Sequence, residues 1–305
     1  MNAQLPMPVS APFTAAQKTT IRNLVRRAAR AEIIPRFRKL DLGDISEKTG
    51  PLDLVTDADV GAEAMITRGL QIAFPNAVVI GEEAVSKDET LLEKIADAEL
   101  SFLVDPVDGT WNFAKGLPLY GTIIAACRFG RPVYGFIFDP MGDDVVEADL
   151  DTPSRQIFPG GRKQALKTAG PKVRSAMMGY MGISQLNPEA KALVGSKLPE
   201  VALLSTLRCA AHEYRLLAQG NVDFVLGTRM TPWDHAAGVL ICQKAGGYAA
   251  MLDGREYTAM EQGYLLCASS EAVWKDVADL FNALLPSKNT DAQKAEAPEQ
   301  DDAKT

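Results

Sequence analysis

Apolar positions along this chain repeat with two periods, and Pro, Gly or Asp stand where one period gives way to the other. Over residues 14–40, Ile21, Leu24, Val25, Ala28, Ala29 and Ile33 recur at helical spacing, which predicts an amphipathic helix that Pro35 bends or ends. Arg22, Arg26, Arg27 and Arg30 fall largely on its other faces and read as a solvated surface. A second helix is predicted to end near Phe74-Pro75. Ahead of it, Thr56 with Asp59 three residues on resembles a capping box with Asp in place of Glu. Runs at 77–80 and 100–104 are short and apolar enough for buried strands, with a charged helix over 89–98 between them. Three more strands, at 119–129, 133–138 and 145–148, are separated by tight Gly- and Pro-bearing turns, which favours antiparallel pairing.

Past a Pro-, Gly- and Thr-rich stretch at 149–170, strand and helix patterns alternate. Strands are predicted at 175–181, 201–204, 222–226 and 264–268, and helices at 188–198, 210–219 and 270–285. A further helix opens at Trp233-Asp234-His235-Ala236-Ala237 and stops at Gly246-Gly247. The chain therefore divides into a lead-in over 1–13, an α+β domain over 14–150, an α/β domain over 151–286 and a tail over 287–305. That tail has almost nothing to bury and reads as disordered.

Composition narrows the classes. At 305 residues the chain can form one large domain or two ordinary ones. A formal net charge of −7 argues against a nucleic-acid surface held by basic residues. Cys127, Cys209, Cys242 and Cys267 are scattered without a Cys-x-x-Cys pair, and His212 and His235 are the only histidines, which disfavours structural zinc. Such thiols fit a reducing compartment. The start carries no basic cluster followed by an apolar core, and no apolar run approaches the ~20 residues of a bilayer span. The expectation is a cytoplasmic protein with no membrane partner.

The chemistry concentrates at Val104-Asp105-Pro106-Val107-Asp108-Gly109-Thr110-Trp111-Asn112-Phe113, directly after a predicted buried strand. Pro106 and Gly109 make a stiff turn there, which should hold Asp105, the Val107 carbonyl and Asp108 around one point. Glu82 and Glu83 end another strand, and Asp234 opens a helix after Pro232, where it doubles as a candidate N-cap. If these carboxylates converge, their repulsion has to be neutralised, and an all-oxygen cluster suits a hard divalent cation such as Mg²⁺. Other hydrolase chemistries fit less well. A haloacid-dehalogenase phosphatase would need an Asp where Pro106 stands, and neither a Gly-x-Ser-x-Gly elbow nor a P-loop motif is present.

Gly81-Glu82-Glu83, Asp105-Pro-Val-Asp108-Gly-Thr110-Trp-Asn-Phe113 and Trp233-Asp234-His-Ala-Ala-Gly…Ala245-Gly246-Gly247 resemble, in order and spacing, the three signatures of the inositol monophosphatase family. The resemblance runs from about residue 48 to 268. It implies a layered α-β-α-β-α sandwich, in which a large antiparallel sheet with paired helices is followed by a smaller α/β domain. It implies that Glu82, Asp105, the Val107 carbonyl, Asp108 and Asp234 bind two or three Mg²⁺ ions, with lithium inhibition. Catalysis would fall to Thr110 and Asp59, which position and deprotonate water, together with Glu82. Lys48 matches the mobile-loop lysine. Substrate would be bound by Asp108, the amides of Gly109 and Thr110, Arg208, Ala210 and Asp234. The implied substrate is a small phosphorylated metabolite, foremost an inositol monophosphate or a related sugar or polyol phosphate, hydrolysed by a homodimer. Histidinol phosphate, fructose 1,6-bisphosphate and a non-catalytic regulatory role are the alternatives. Two positions depart from the family pattern. Gly227 stands where inositol-type members carry a substrate-binding glutamate, and Arg208-Cys209-Ala210 replaces a Gly-Ser/Thr-Ala stretch. Arg208 would then clash with an inositol ring, bind a second anionic group or point to solvent.

Overall fold

The computed structural model describes residues 13–285. The lead-in other than Phe13, and the tail at 287–305, lie outside them. In chain order the main elements are α1 (Ala15–Ala28), the hairpin β1 (Ile45–Gly50) and β2 (Asp53–Thr56), α2 (Asp57–Ala73), β3 (Val78–Gly81), α3 (Glu82–Val85), α4 (Lys94–Asp97), β4 (Ser101–Asp108) and α5 (Thr110–Ala114). Five more strands follow: β5 (Gly121–Arg128), β6 (Arg131–Asp139), β7 (Asp144–Asp149), β8 (Arg155–Ile157) and β9 (Lys163–Ala165). The remainder comprises β10 (Met178–Met181), α6 (Pro188–Lys197), β11 (Leu203–Ser205), α7 (Ala210–Ala218), β12 (Phe224–Gly227), α8 (Pro232–Lys244), β13 (Tyr248–Met251), β14 (Leu265–Ala268) and α9 (Glu271–Phe281).

Strand alternation explains the layering. A strand sends successive side chains to opposite faces. Phe102, Val104, Ile124, Ala126, Phe136 and Phe138 therefore cover one face of a seven-stranded sheet, where they pack with Ile21, Leu24 and Val25 of α1 and Ala62, Ile66 and Leu70 of α2. Leu103, Ile123, Ala125, Ile137 and Val146 cover the other face and meet Ala211, Tyr214 and Leu217 of α7 and Ala236, Ala237 and Ile241 of α8. The same two helices pack against the five-stranded sheet, whose far side buries Phe224, Leu226 and Leu266 against Val273, Val277 and Phe281 of α9. The result is the expected α-β-α-β-α sandwich. The seven-stranded sheet runs β3-β4-β5-β6-β7-β8-β9, antiparallel except for the parallel β3–β4 pair. The five-stranded sheet is mixed, in the order β11-β10-β12-β14-β13.

Several local readings need correction. The arginine face of α1 is not simply solvated: Arg22 donates to Glu147 at 2.9 and 3.1 Å, and Arg26 donates to Asp143 at 2.8 Å. The carboxylates come from the β6–β7 segment, which periodicity in α1 cannot reveal. Before Pro35 the helix loosens into a π turn over Ala29–Ile33, then tightens to 3-10 geometry over Ile34–Arg36, the bend that a missing donor imposes. The hairpin β1–β2 has no period-2 apolar signal and was not anticipated, nor was β13. The charged helix expected over 89–98 is broken into a 3-10 turn, Glu89–Glu93, and the short α4. The first sheet also continues past the junction expected after 150, through β9. Among the described residues no helix is long and apolar enough to cross a membrane.

The sheet and α8 meet without a side-chain spacer at Gly135. A Cβ there would sit 2.6 Å from the Ala237 carbonyl oxygen, a backbone atom that cannot swing aside. Gly135→Val is therefore expected to destabilise the protein by about 1–3 kcal/mol. A lowered urea midpoint checks this, and an unchanged midpoint would show that α8 moves freely on the sheet.

Candidate active site

The end of β4 is bent by one extra residue. Asp105 pairs with Ile123 and Asp108 with Gly121, so three steps on β4 match two on β5, the count of a β-bulge. Pro106 sits in the bulge, where its missing N–H costs no ladder bond, and its carbonyl accepts from Thr122 Oγ1 at 2.9 Å. The chain then turns at Gly109, whose φ is +85°; a Cβ would meet the Leu119 carbonyl oxygen at 2.8 Å. Thr110 starts α5 immediately afterwards.

Three carboxylates from three elements converge. Glu82 at the start of α3, Asp105 on β4 and Asp234 in the first turn of α8 each offer an oxygen, all within 4.8 Å of one another. Asp105 Oδ1 is buried with no hydrogen-bond partner among the described residues. Asp234 Oδ2 accepts from Thr231 Oγ1 at 2.5 Å. Lys48 on β1 donates to Glu82 at 2.8 Å and to Glu83 at 2.6 Å. Asp108 points toward α7, where its Oδ2 accepts from the Ala211 N–H at 2.6 Å and from the Cys209 thiol at 3.0 Å. Negative charge suits a helix N-terminus, so that placement stabilises α7 as well.

Asp59 divides its two oxygens between two tasks. Its Oδ2 accepts from the Thr56 N–H at 2.9 Å and from Thr56 Oγ1 at 2.5 Å, completing the capping box of α2. Its Oδ1 accepts from Thr110 Oγ1 at 3.0 Å, and the same hydroxyl lies 2.9 Å from the Val107 carbonyl. One carboxylate thus caps α2 and meets the Thr110 hydroxyl at the same time.

Two acidic residues were missed in the sequence. Glu63 accepts from the Glu83 and Ala84 N–H groups at 2.8 and 2.9 Å and so fixes the turn that presents Glu82. Glu213 accepts from the Leu207 N–H at 2.7 Å and from Thr206 Oγ1 at 3.0 Å, holding the loop before α7. Each looks like an ordinary helical surface acid; only the fold buries it. Of the substrate-side residues, Arg208 lies half-buried over the Trp111 ring, 4.4 Å from its centroid, so it does not simply point to solvent. Ala210 and Gly227 line the same cavity of about 900 Å³, which opens between the hairpin, α5, α7 and α8. The His235 ring fills the space beside Gly227, 2.9 Å from where a Cβ would be.

Burial governs the electrostatics. It pushes Glu82 up to about 8, with Asp234 adding repulsion against the opposing pull of Lys48. Asp105 is held well above the usual carboxylate range by burial, and then by Glu82, Asp108 and Asp234. Asp108 rises to about 7 through burial and Asp234, and Asp59 to about 6 through burial. A nest of oxygen donors with an orphaned buried oxygen and crowded negative charge fits a hard divalent cation rather than a thiophilic metal.

A carboxylate nest beside a Thr–Asp pair, set in a layered α/β sandwich, has the make-up of a phosphatase site. The chain belongs to the inositol monophosphatase family, whose sequence profile matches residues 15–288. With that membership it is a phosphoric monoester hydrolase. It is 29% identical over 243 residues to an inositol-1-monophosphatase of Rhizobium meliloti (strain 1021), covering 78% of this chain and 86% of that protein. Against the Nus factor SuhB of Escherichia coli (strain K12) it is 28% identical over 276 residues, covering 86% of this chain and 96% of that one. Among solved structures, the Thermotoga maritima IMPase superposes with a TM-score of 0.73 at 22% identity, over 89% of this chain and 98% of that one.

The raised carboxyls make stability depend on pH. Folded, they hold protons more tightly than in the unfolded chain, where Asp and Glu titrate near about 4. Without a cation, stability should therefore fall as the pH climbs from about 4 towards about 8, the value that burial gives Glu82. Melting in EDTA across that range should show the decline, and Mg²⁺ should raise the Tm more at pH 8 than at pH 5. A flat EDTA curve would contradict it.

Proposed function

We propose that the protein hydrolyses a small phosphate monoester, most simply an inositol monophosphate or a related sugar or polyol phosphate, in a Mg²⁺-dependent reaction. The observation that carries this reading is the contact of Thr110 Oγ1 with Asp59 Oδ1 at 3.0 Å beside the carboxylate nest. Glu82, Asp105, Asp234, Asp108 and the Val107 carbonyl would hold the ions. Bound there, they would neutralise phosphoryl charge and lower the pKa of water.

The chain's own groups do the rest. With Asp59 ionised, the Thr110 hydroxyl donates to Oδ1 and turns a lone pair towards the cavity, where it orients the attacking water. As that water attacks, its proton passes to Thr110 Oγ1 while the threonine proton moves to Asp59 Oδ1. The N–H groups of Gly109 and Thr110 supply donors for the phosphate, and the positive φ of Gly109 gives the backbone that approach. Phosphoryl transfer asks mainly for positioning and charge compensation, which this arrangement supplies. The cavity opens to the surface and leaves room for the alcohol part of an ester. Gly227 offers no carboxylate to polyol hydroxyls, which keeps histidinol phosphate and fructose 1,6-bisphosphate among the candidate substrates. A homodimer is part of the same proposal.

A second reading, a metal-binding regulatory protein that works with the transcription machinery, draws support from the similarity to a Nus factor over almost its whole length. A complete Thr110–Asp59 pair favours catalysis. Phosphate release from inositol 1-phosphate, histidinol phosphate, fructose 1,6-bisphosphate and glycerol 2-phosphate, with and without Mg²⁺, separates the two. Folded protein that binds Mg²⁺ but turns over none of them would favour the regulatory reading. In an active enzyme, Asp59→Asn should lower kcat by about 10²–10⁴-fold, the range of a lost general base. The wild-type rate should fall as the pH drops through about 6, where Asp59 takes up its proton. An acid limb that persists unchanged in the variant would remove Asp59 from that role.

A further inference from the structure

Two guanidinium groups remain unexplained by phosphate hydrolysis alone. Among the described residues that line the cavity, Arg208 and Arg229 are the only arginines and no lysine joins them, and both face the turn of the β1–β2 hairpin at its mouth. Arg208 Nη2 donates to the Leu52 carbonyl at 3.1 Å, and Arg229 Nη1 lies 3.8 Å from an Asp53 carboxylate oxygen. The two side chains therefore reach consecutive residues of one turn. Neither is satisfied there. Arg208 has no carboxylate partner among the described residues, and its Nε is buried without an acceptor. Arg229 keeps half its side chain exposed and holds Asp53 only at the outer limit of an ion pair.

Arg208 is nonetheless held through its side chain, and Arg229 through its backbone. Arg208 occupies a left-handed backbone conformation, φ +54°, with its N–H on Thr206 Oγ1 at 3.0 Å and its guanidinium stacked on Trp111. The Arg229 carbonyl accepts from His235 Nε2 at 2.6 Å, and the other ring nitrogen accepts from the Tyr214 hydroxyl at 2.9 Å. That ring also closes the space at Gly227, so no acidic side chain opposes the pair from there. Of the acids that line the cavity, Asp53 is shared with Arg229, and Glu213 is committed to Leu207 and Thr206. An Arg208 fork held over an indole with an unfilled donor, beside an exposed Arg229 that can swing onto the same group, matches a planar or tetrahedral oxyanion.

We propose that the preferred substrate carries a second anionic group, a carboxylate or a second phosphate, gripped at the cavity mouth by Arg208 and Arg229. This rests on the phosphatase reading and narrows it: an inositol monophosphate and histidinol phosphate carry no second anion, and both become poorer substrates than a bisphosphate or a phosphocarboxylate. The carboxylate nest takes the scissile phosphate, and the arginines select what is attached to it.

The test compares kcat/KM of the Mg²⁺-loaded enzyme for three esters: glycerol 2-phosphate, 3-phosphoglycerate and fructose 1,6-bisphosphate. The first has no second anion, the second offers a carboxylate, and the third a phosphate. Wild-type enzyme should favour one of the latter two over the first by about tenfold or more, the worth of a charge-assisted hydrogen bond. Arg208→Gln and Arg229→Gln should each shrink that ratio by a similar factor, through KM rather than kcat. Circular dichroism and melting confirm that each variant is folded, and Arg208→Lys, which keeps the charge but loses the fork, should fall between wild type and Arg208→Gln. Equal use of glycerol 2-phosphate by the wild type, or a ratio untouched by both glutamine variants, overturns the second-anion proposal while leaving the phosphatase reading intact. No turnover of these three esters, nor of inositol 1-phosphate and histidinol phosphate, would sink the phosphatase reading itself, and the proposal with it.

Discussion

Mutual repulsion among buried carboxylates is the constraint on which the rest of this structure depends. Glu82, Asp105 and Asp234 would not occupy one point by choice: each loses hydration, and each raises the cost of ionising the others. The surrounding architecture holds them there. A bulge re-aims the end of β4, a buried Glu63 pins the turn after β3, and a Pro-started helix presents Asp234 in its first turn. The cost falls on folding, and a cation bound there would offset it.

Much of the outer architecture was legible because it follows from periodicity. The central strands of the large sheet, β4 and β5, are buried on both faces and read as apolar runs, while α8 and α9 are bounded by Pro, Ser and Gly signals. What escaped depends on contacts distant in the chain. The β1–β2 hairpin buries little besides Leu54 and Thr56, too short a pattern to read from the sequence. Arg22 and Arg26 looked like solvent-facing charges because their partners, Glu147 and Asp143, lie more than a hundred residues away. The candidate site was legible for a different reason. Its acids sit where strands end or helices begin, places where packing does not call for them.

Its supporting residues were not legible. Glu63 and Glu213 carry no local mark, since an acid in a helix is common and its burial becomes evident only when α2 and α7 have docked. Cys209 is a similar case. As a residue it is one more apolar cysteine, but in the fold its thiol donates to Asp108 and takes up a polar role at the start of α7. Arg208 shows the reverse: its charge suggested a clash, a second anionic group or a solvent-facing side chain, and the fold sets it over the Trp111 ring.

The two-sided use of Asp59 carries a consequence for how this protein ages and evolves. One oxygen closes the first turn of α2 and the other holds Thr110, so the start of that helix and the reacting end of the site share a single hinge pin. Fraying of one helical turn, a motion far smaller than unfolding, would pull the carboxylate away from the threonine. Loss of activity on warming would then precede loss of the fold. Exchange of Thr56, which meets the site only through this carboxylate, would likewise release Asp59 from one side.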